Sequence, residues 1–223
     1  MKMLLIAGHG QGDHGAIGNN RSECNLTRNL AVAMQQENLD YDSDLEIVLY
    51  DTTKDCYQQS KAGNVPNYRE YEYVFEVHFN AASDPSAHGT EILISDYEPS
   101  HTVEDLILSK LEKLGLTNRG VKRRNDLLNM NNCVGIGTSY ALLETCFITN
   151  KSDVEFYLNN YEQVAQAVLE GILEGFGLTY QETEGKTDLL YRVQVGAFQN
   201  KENAQKLAEE LRNKGYETYV TVR

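Results

Sequence analysis

The sequence predicts an α/β fold: a twisted, mostly parallel sheet flanked by helices, followed by a small C-terminal βαβ unit. Three observations carry that prediction. Short apolar runs alternate with segments of helical 3–4 periodicity over residues 1–177, the order that builds parallel sheets through crossover helices. A polar, acidic stretch, TYQETEGKTD, then breaks the pattern and reads as a linker within 178–188. Beyond it, residues 189–223 hold one further strand–helix–strand pattern. At 223 residues and 41% hydrophobic content, the chain can bury one substantial core and carry a small second unit.

The elements follow in order. KMLLIA, residues 2–7, reads as a short buried strand, and 26–37 as a helix whose Leu26, Leu30, Ala33 and Met34 recur at 3–4 spacing. LEIVLYD (45–51), YEYVFEV (71–77) and TEILIS (90–95) read as strands. Residues 101–114 form an amphipathic helix stopped by Gly115. RGVKRR (119–124) is a short extended segment, YALLETCFI (140–148) a buried strand, and 161–176 a helix ending at Gly175 or Gly177. The last unit reads as a strand at 191–196, a helix at 201–213, a stop at Gly215 and a strand at 216–222. It is too small to hold a core by itself. Its open strand edges favour a homodimer through this unit, with docking on the first domain as the alternative.

Bulk charge narrows the function. The formal charge of −13 argues against duplex nucleic acid, which needs a basic face, and against bare anionic lipid. There is no 18-residue apolar stretch, so no membrane insertion is expected. The first apolar run is too short for a secretory signal, which predicts a chain made in the cytoplasm. Cys24, Cys56, Cys133 and Cys146 form no CxxC pair and read as reduced thiols.

The loop GHGQGDHGAIGNNRSE after the first strand allows three readings. Gly10-x-Gly12-x-x-Gly15 spells a dinucleotide fingerprint, but that motif needs a helix opening among its glycines, and here the helix cannot begin before about Ser22. A plain flexible turn is the second reading. The third is a metal site. In parallel sheets, ligands gather beyond the carboxyl ends of the strands. His9 follows the first strand, His78 follows YEYVFEV, Glu144 lies late in SYALLE, and Glu23 stands where the first helix starts. Two His and one Glu are a common catalytic zinc set with an open position for water, and a further carboxylate can serve as base. Their joint placement favours this reading. His14, His88 and His101 read as loop or helix-start residues outside the site.

The segments AGHGQGDHGAIGNNRSE, EVHFNA, HGTEIL, NRGVKRR and ALLETCFITN occur in that order at suitable spacing. Together they resemble the zinc-dependent N-acetylmuramoyl-L-alanine amidases of autolysins and phage endolysins, over roughly residues 1–177. The resemblance implies Zn²⁺ on His9, Glu23 and His78, with Glu144 as the catalytic acid/base. It also implies bacterial peptidoglycan as partner and cleavage of the amide between N-acetylmuramic acid and L-alanine. Without a signal, such an enzyme would reach the wall after release, as an endolysin does; a sporulation-stage autolysin is the alternative, and a non-catalytic wall-binding protein the rival of another class. His14 stands where such loops often carry Pro, and Glu76 where Ser is frequent; both bear on substrate fit. Asn80 reads as a possible hydrogen-bonding neighbour of the site or as a strand-end cap. YRVQVGAF and NKENAQKLAEELRNKGY resemble half of a sporulation-related repeat, a peptidoglycan-binding module of two βαβ halves.

Overall fold

The structure is a computed structural model describing residues 1–10, 12–182, 195–196, 198–216 and 218. It forms two compact units, residues 1–184 and 185–223.

In the first unit the elements are β1 (Lys2–Ala7), β2 (Ile17–Gly18), β3 (Arg21–Ser22), α1 (Glu23–Asn38), β4 (Tyr41–Ser43), β5 (Glu46–Leu49) and α2 (Cys56–Lys61). There follow β6 (Tyr73–Asn80), β7 (Thr90–Ser95), α3 (Thr102–Leu114), β8 (Asn118–Arg124), α4 (Leu128–Val134), β9 (Ser139–Phe147), α5 (Lys151–Gly175) and β10 (Tyr180–Glu182). Six strands form the main sheet in the order β5-β1-β6-β9-β7-β8. Every neighbouring pair is parallel except β9–β7, which is antiparallel. The mostly parallel sheet predicted from the sequence is therefore present, and β7 and β8 run opposite to the other four strands.

The period of two in the strands sorts side chains onto two faces. Met3, Leu5, Phe75, Val77, Ile92, Ile94, Ala141 and Leu143 pack with the buried sides of α1, α3 and α5 in the larger core. Leu4, Ile6, Val74, Leu93, Tyr140 and Leu142 point the other way and meet Cys56 of α2 and Met130 and Cys133 of α4 in a smaller core. The second face is thus covered by two short helices, and past them the same side-chain rows continue as Glu76, His78, Glu144 and Glu91. All four cysteines are free and buried.

Helices α3 and α5 pack closely because α5 carries glycine where they meet. A Cβ at Gly171 would lie 2.7 Å from Ile107 Cα, and one at Gly175 2.7 Å from Val103 Cα. Gly171→Val is expected to destabilise the chain by about 2 kcal/mol through overpacking, read as a lower urea midpoint; an unchanged midpoint would show that the helices part freely.

Several elements differ from expectation. Helix α5 begins at Lys151 rather than 161, because Asn150 caps it by accepting from Asp153 N at 3.1 Å. A non-helical Asn160 (φ −135°) divides it, which hides the first half from a periodicity count. Tyr180–Glu182, inside the stretch read as a linker, is a strand: β10 pairs antiparallel with β4, and Tyr180 meets Tyr41 edge-on at 5.2 Å. The short helices α2 and α4 carry no periodic signal of their own.

In the second unit, α6 (Lys201–Arg212) is capped by Asn200, which accepts from Glu202 N at 2.7 Å. The strands expected at 191–196 and 216–222, with the edges expected to join two chains, fall largely outside the described residues.

Candidate metal centre and catalytic edge

The centre lies at the carboxyl ends of β1, β6 and β9. His9 follows β1, His78 sits in β6, and Glu23 is the first residue of α1, reached by the loop that β2 and β3 close as a hairpin. Ser22 is the N-cap of α1, so the helix opens after all the loop glycines. The glycines have another use. A Cβ on Gly8 would stand 2.3 Å from the His78 ring, and one on Gly15 2.6 Å from His9 Cδ2 and 2.7 Å from Glu23 Oε2. Bare backbone at these points lets the three side chains close on one another.

His9 takes a left-handed backbone (φ 61°), a conformation costing a non-glycine residue about 1–2 kcal/mol. Helix α1 holds it there. Arg28 donates from Nη2 to His9 O at 2.7 Å and from Nη1 to Gly8 O at 3.0 Å, and Thr27 donates to Gly8 O at 2.8 Å.

Glu23 is buried between the rings. Its Oε2 is 3.1 Å from His9 Nε2 and its Oε1 2.9 Å from His78 Nδ1, while the Ala16 and Phe79 amides donate to it at 2.9 and 3.0 Å. Burial opposes its charge, but the bonds from both histidines prevail and hold its carboxyl well below the usual range. The far nitrogen of each ring is also engaged: His9 Nδ1 meets Asp13 at 3.0 Å and His78 Nε2 meets Glu76 at 2.9 Å. Burial alone would depress both imidazoles; the bonds to Glu23, and to Asp13 or Glu76, raise both instead. Glu76 is itself buried and accepts from Asn129 Nδ2 at 3.0 Å and Tyr140 OH at 2.6 Å. It therefore orients a candidate ligand rather than facing substrate, which corrects the sequence reading of this position.

One nitrogen of each histidine and the Glu23 carboxylate lie within 4.8 Å of one another. Two neutral-capable imidazoles and a carboxylate converging so, each fixed by an outer partner, fit a single divalent ion.

Glu144 stands beside this cluster, in register with His78 on the neighbouring strand. Its Oε2 is buried with no hydrogen-bond partner. Burial pushes its carboxyl up to about 7; the nearby His78 opposes the shift, and Glu23 and Glu91 add to it. Sequence reasoning missed Glu91, which is in register with Glu144 from β7. Searching after each strand could not find it, since the antiparallel β7 brings its first residues to this edge. Asn80 donates to Glu91 at 3.0 Å, and its Oδ1 accepts from Ala81 N at 2.8 Å, so it is both site neighbour and strand-end cap.

The other histidines stand outside the cluster. His88 contacts Ser86 O at 2.8 Å and His101 contacts Asp105 at 2.8 Å. The exposed His14 contributes its carbonyl to Cys24 N. His14→Ala is expected to leave metal content at about one ion per chain; loss of metal on elemental analysis would assign the loop's ligand to the wrong histidine.

Comparison with known proteins places the chain in a family. The profile of the N-acetylmuramoyl-L-alanine amidases matches residues 3–174, and that of the SPOR domain matches 188–223. The chain is 31% identical over 188 residues to a probable autolysin PH of Staphylococcus aureus, covering 77% of this chain and 38% of that protein's length. It is 24% identical over 225 residues to a sporulation-specific N-acetylmuramoyl-L-alanine amidase of Bacillus subtilis, covering 100% of this chain and 85% of that one. The crystal structure of an N-acetylmuramoyl-L-alanine amidase from Clostridium difficile 630 shares the fold, with TM-score 0.69 at 18% identity over 82% of this chain and 98% of that one. Ordered motifs, a two-histidine and glutamate cluster at the carboxyl edge, and a family match over most of the chain agree, and the chain belongs to the N-acetylmuramoyl-L-alanine amidase family.

Proposed function

We propose that the chain hydrolyses the amide joining the lactyl group of N-acetylmuramic acid to L-alanine, with zinc held by His9, Glu23 and His78 and with Glu144 as acid/base. The observation that carries this reading is the pairing of His78 with Glu144 across two parallel strands: a ligand cluster and a buried, unpartnered carboxyl share one edge. When bound, zinc supplies a Lewis acid for the scissile carbonyl and lowers the pKa of a water to about 7. Asp13 and Glu76 hold the two rings in the tautomers that leave His9 Nε2 and His78 Nδ1 free for the metal. Glu144 takes a proton from the attacking water and passes it to the departing L-alanine nitrogen. A carboxyl near neutrality suits both transfers. The SPOR domain would hold the chain to the same polymer.

Digestion of purified sacculi tests the reading. New L-alanine amino termini, dependent on zinc and lost with a chelator, are expected. New reducing sugars instead would indicate a glycosidase, and binding without release of either would indicate a wall-binding protein.

A further inference from the structure

A row of polar side chains continues past the catalytic edge. His78 of β6 is in register with Glu144 of β9, and Glu144 with Glu91 of β7. On β8 the register slips: Thr90 faces Asn118, but Ile92 faces Val121, so Arg119 and Gly120 together stand opposite Glu91. Such a bulge re-aims a side chain. Gly120 takes the positive φ (80°) that accompanies it, and Arg119 is turned onto the row. Its Nε donates to Glu91 Oε2 at 2.9 Å, its Nη1 reaches His88 O at 3.3 Å, and its guanidinium lies over the Phe147 ring at 4.9 Å. Three contacts fix the fork, yet its side chain is 38% exposed, and Nη2 has no partner among the described residues. Glu91, 13% exposed, is spent on Arg119 and Asn80. The edge thus presents a pre-oriented cation with unused donors, in a chain whose net charge is −13.

We propose that Arg119 is a specificity-determining residue that receives a carboxylate of the stem peptide. The inference rests on the amidase reading and names what lies beyond the scissile bond. Neighbouring strands are about 4.8 Å apart, so β8 runs about 10 Å from the line of Glu144, and the arginine reaches back across part of that gap. Two residues of extended peptide span about 7 Å. A stem leaving the scissile amide along this row brings the α-carboxyl of its second residue, a glutamate linked onward through its side chain, to the guanidinium. A planar fork already seated on an aromatic ring binds a carboxylate in charge-assisted hydrogen bonds with little ordering cost. An amidated stem offers that fork one neutral oxygen and a competing donor.

The test uses the full chain loaded with zinc and two muramyl dipeptides that differ only in a free or an amidated α-carboxyl at the second residue. The wild type is expected to favour the free carboxylate by about tenfold in kcat/KM, the effect of one charge-assisted bond. Arg119→Gln should bring that ratio to about one, mainly through KM, with zinc content unchanged, and Arg119→Lys should keep part of it. A wild-type ratio near one overturns the proposal without any variant, as does an Arg119→Gln that retains the preference. Cleavage of neither compound, with sacculi also left uncut, overturns the amidase reading and this inference with it. Cleavage of sacculi with an unchanged ratio overturns this inference alone.

Discussion

Glu144→Gln is expected to lower the turnover of peptidoglycan by about 10³-fold while zinc stays bound. Removing a positioned general acid/base costs 10² to 10⁴ in rate, and the proposed mechanism gives one carboxyl both proton transfers. The amide of glutamine matches the carboxyl in size, and Glu144 makes no bond to the ligand cluster that its loss would break. Metal content should therefore remain at the wild-type level, and activity near wild type would remove Glu144 from the chemistry. Stability supplies an independent sign. In the metal-free chain, the carboxyl is held at about 7 against 4.5 for an ordinary glutamate, first by burial. The folded state then binds the proton more tightly than the unfolded state, so this contribution is fully present below about pH 4.5 and is lost as pH rises through 7. A shift of that size corresponds to at most about 3 kcal/mol. Metal-free Glu144→Gln should accordingly be more stable than wild type at pH 8 and lose that advantage near pH 4.

His78→Ala is expected to abolish both metal binding and activity. The ring joins Glu23 and Glu76; without it Glu23 keeps His9 and the Ala16 and Phe79 amides, while the buried Glu76 keeps only the neutral donors Asn129 and Tyr140 and loses its cationic partner. Opening a buried charged pair by deleting one partner costs about 3–5 kcal/mol, so the variant should also melt earlier than metal-free wild type. The check is elemental analysis with thermal unfolding in the presence of chelator. Zinc is expected to raise the wild-type midpoint if it binds the native state alone, by about 2.7 kcal/mol at one hundred times its dissociation constant. His78→Ala should show no such rise. A zinc-dependent rise in this variant would place the ion elsewhere.

The sequence singles out the four candidate site residues because each obeys a positional rule. His9, His78 and Glu144 sit at the carboxyl ends of three parallel neighbours, and Glu23 at the start of the helix that follows the first. The rule assumes parallel strands, and that is why Glu91 escaped it. Its strand, TEILIS, reads the same in either direction, and nothing local fixes its orientation. Arg119 escaped for a related reason, since a one-residue bulge between β7 and β8 has no signature beyond an ordinary glycine. Glu76 reads, from the resemblance, as bearing on substrate fit; it shares its strand parity with His78, but parity alone does not tell how that row is covered. Only the packing of α2 and α4 over Tyr140 and Leu142 shows that face ending in the site. Helix α5 and strand β10 were obscured by composition: Asn160 interrupts one periodicity, and the polar Tyr-Gln-Glu of the other is held by pairing with β4.

The reversed direction of β7 has a consequence for the evolution and redesign of the enzyme. In a purely parallel sheet, the working edge is built from segments that leave strands. Here residues 81–89 leave β6 and also enter β7 at that edge, and Asp153 of α5 ties down their far end through the Gly89 amide at 2.9 Å. Their near end is tied by Thr149, which accepts from Ala82 N at 3.1 Å. A segment anchored at both ends by one helix start can change length and sequence between its anchors without disturbing the ligands or Glu144. Grafting alternatives between Ala82 and Gly89 is thus a direct route to amidases that cut different walls with the same chemistry.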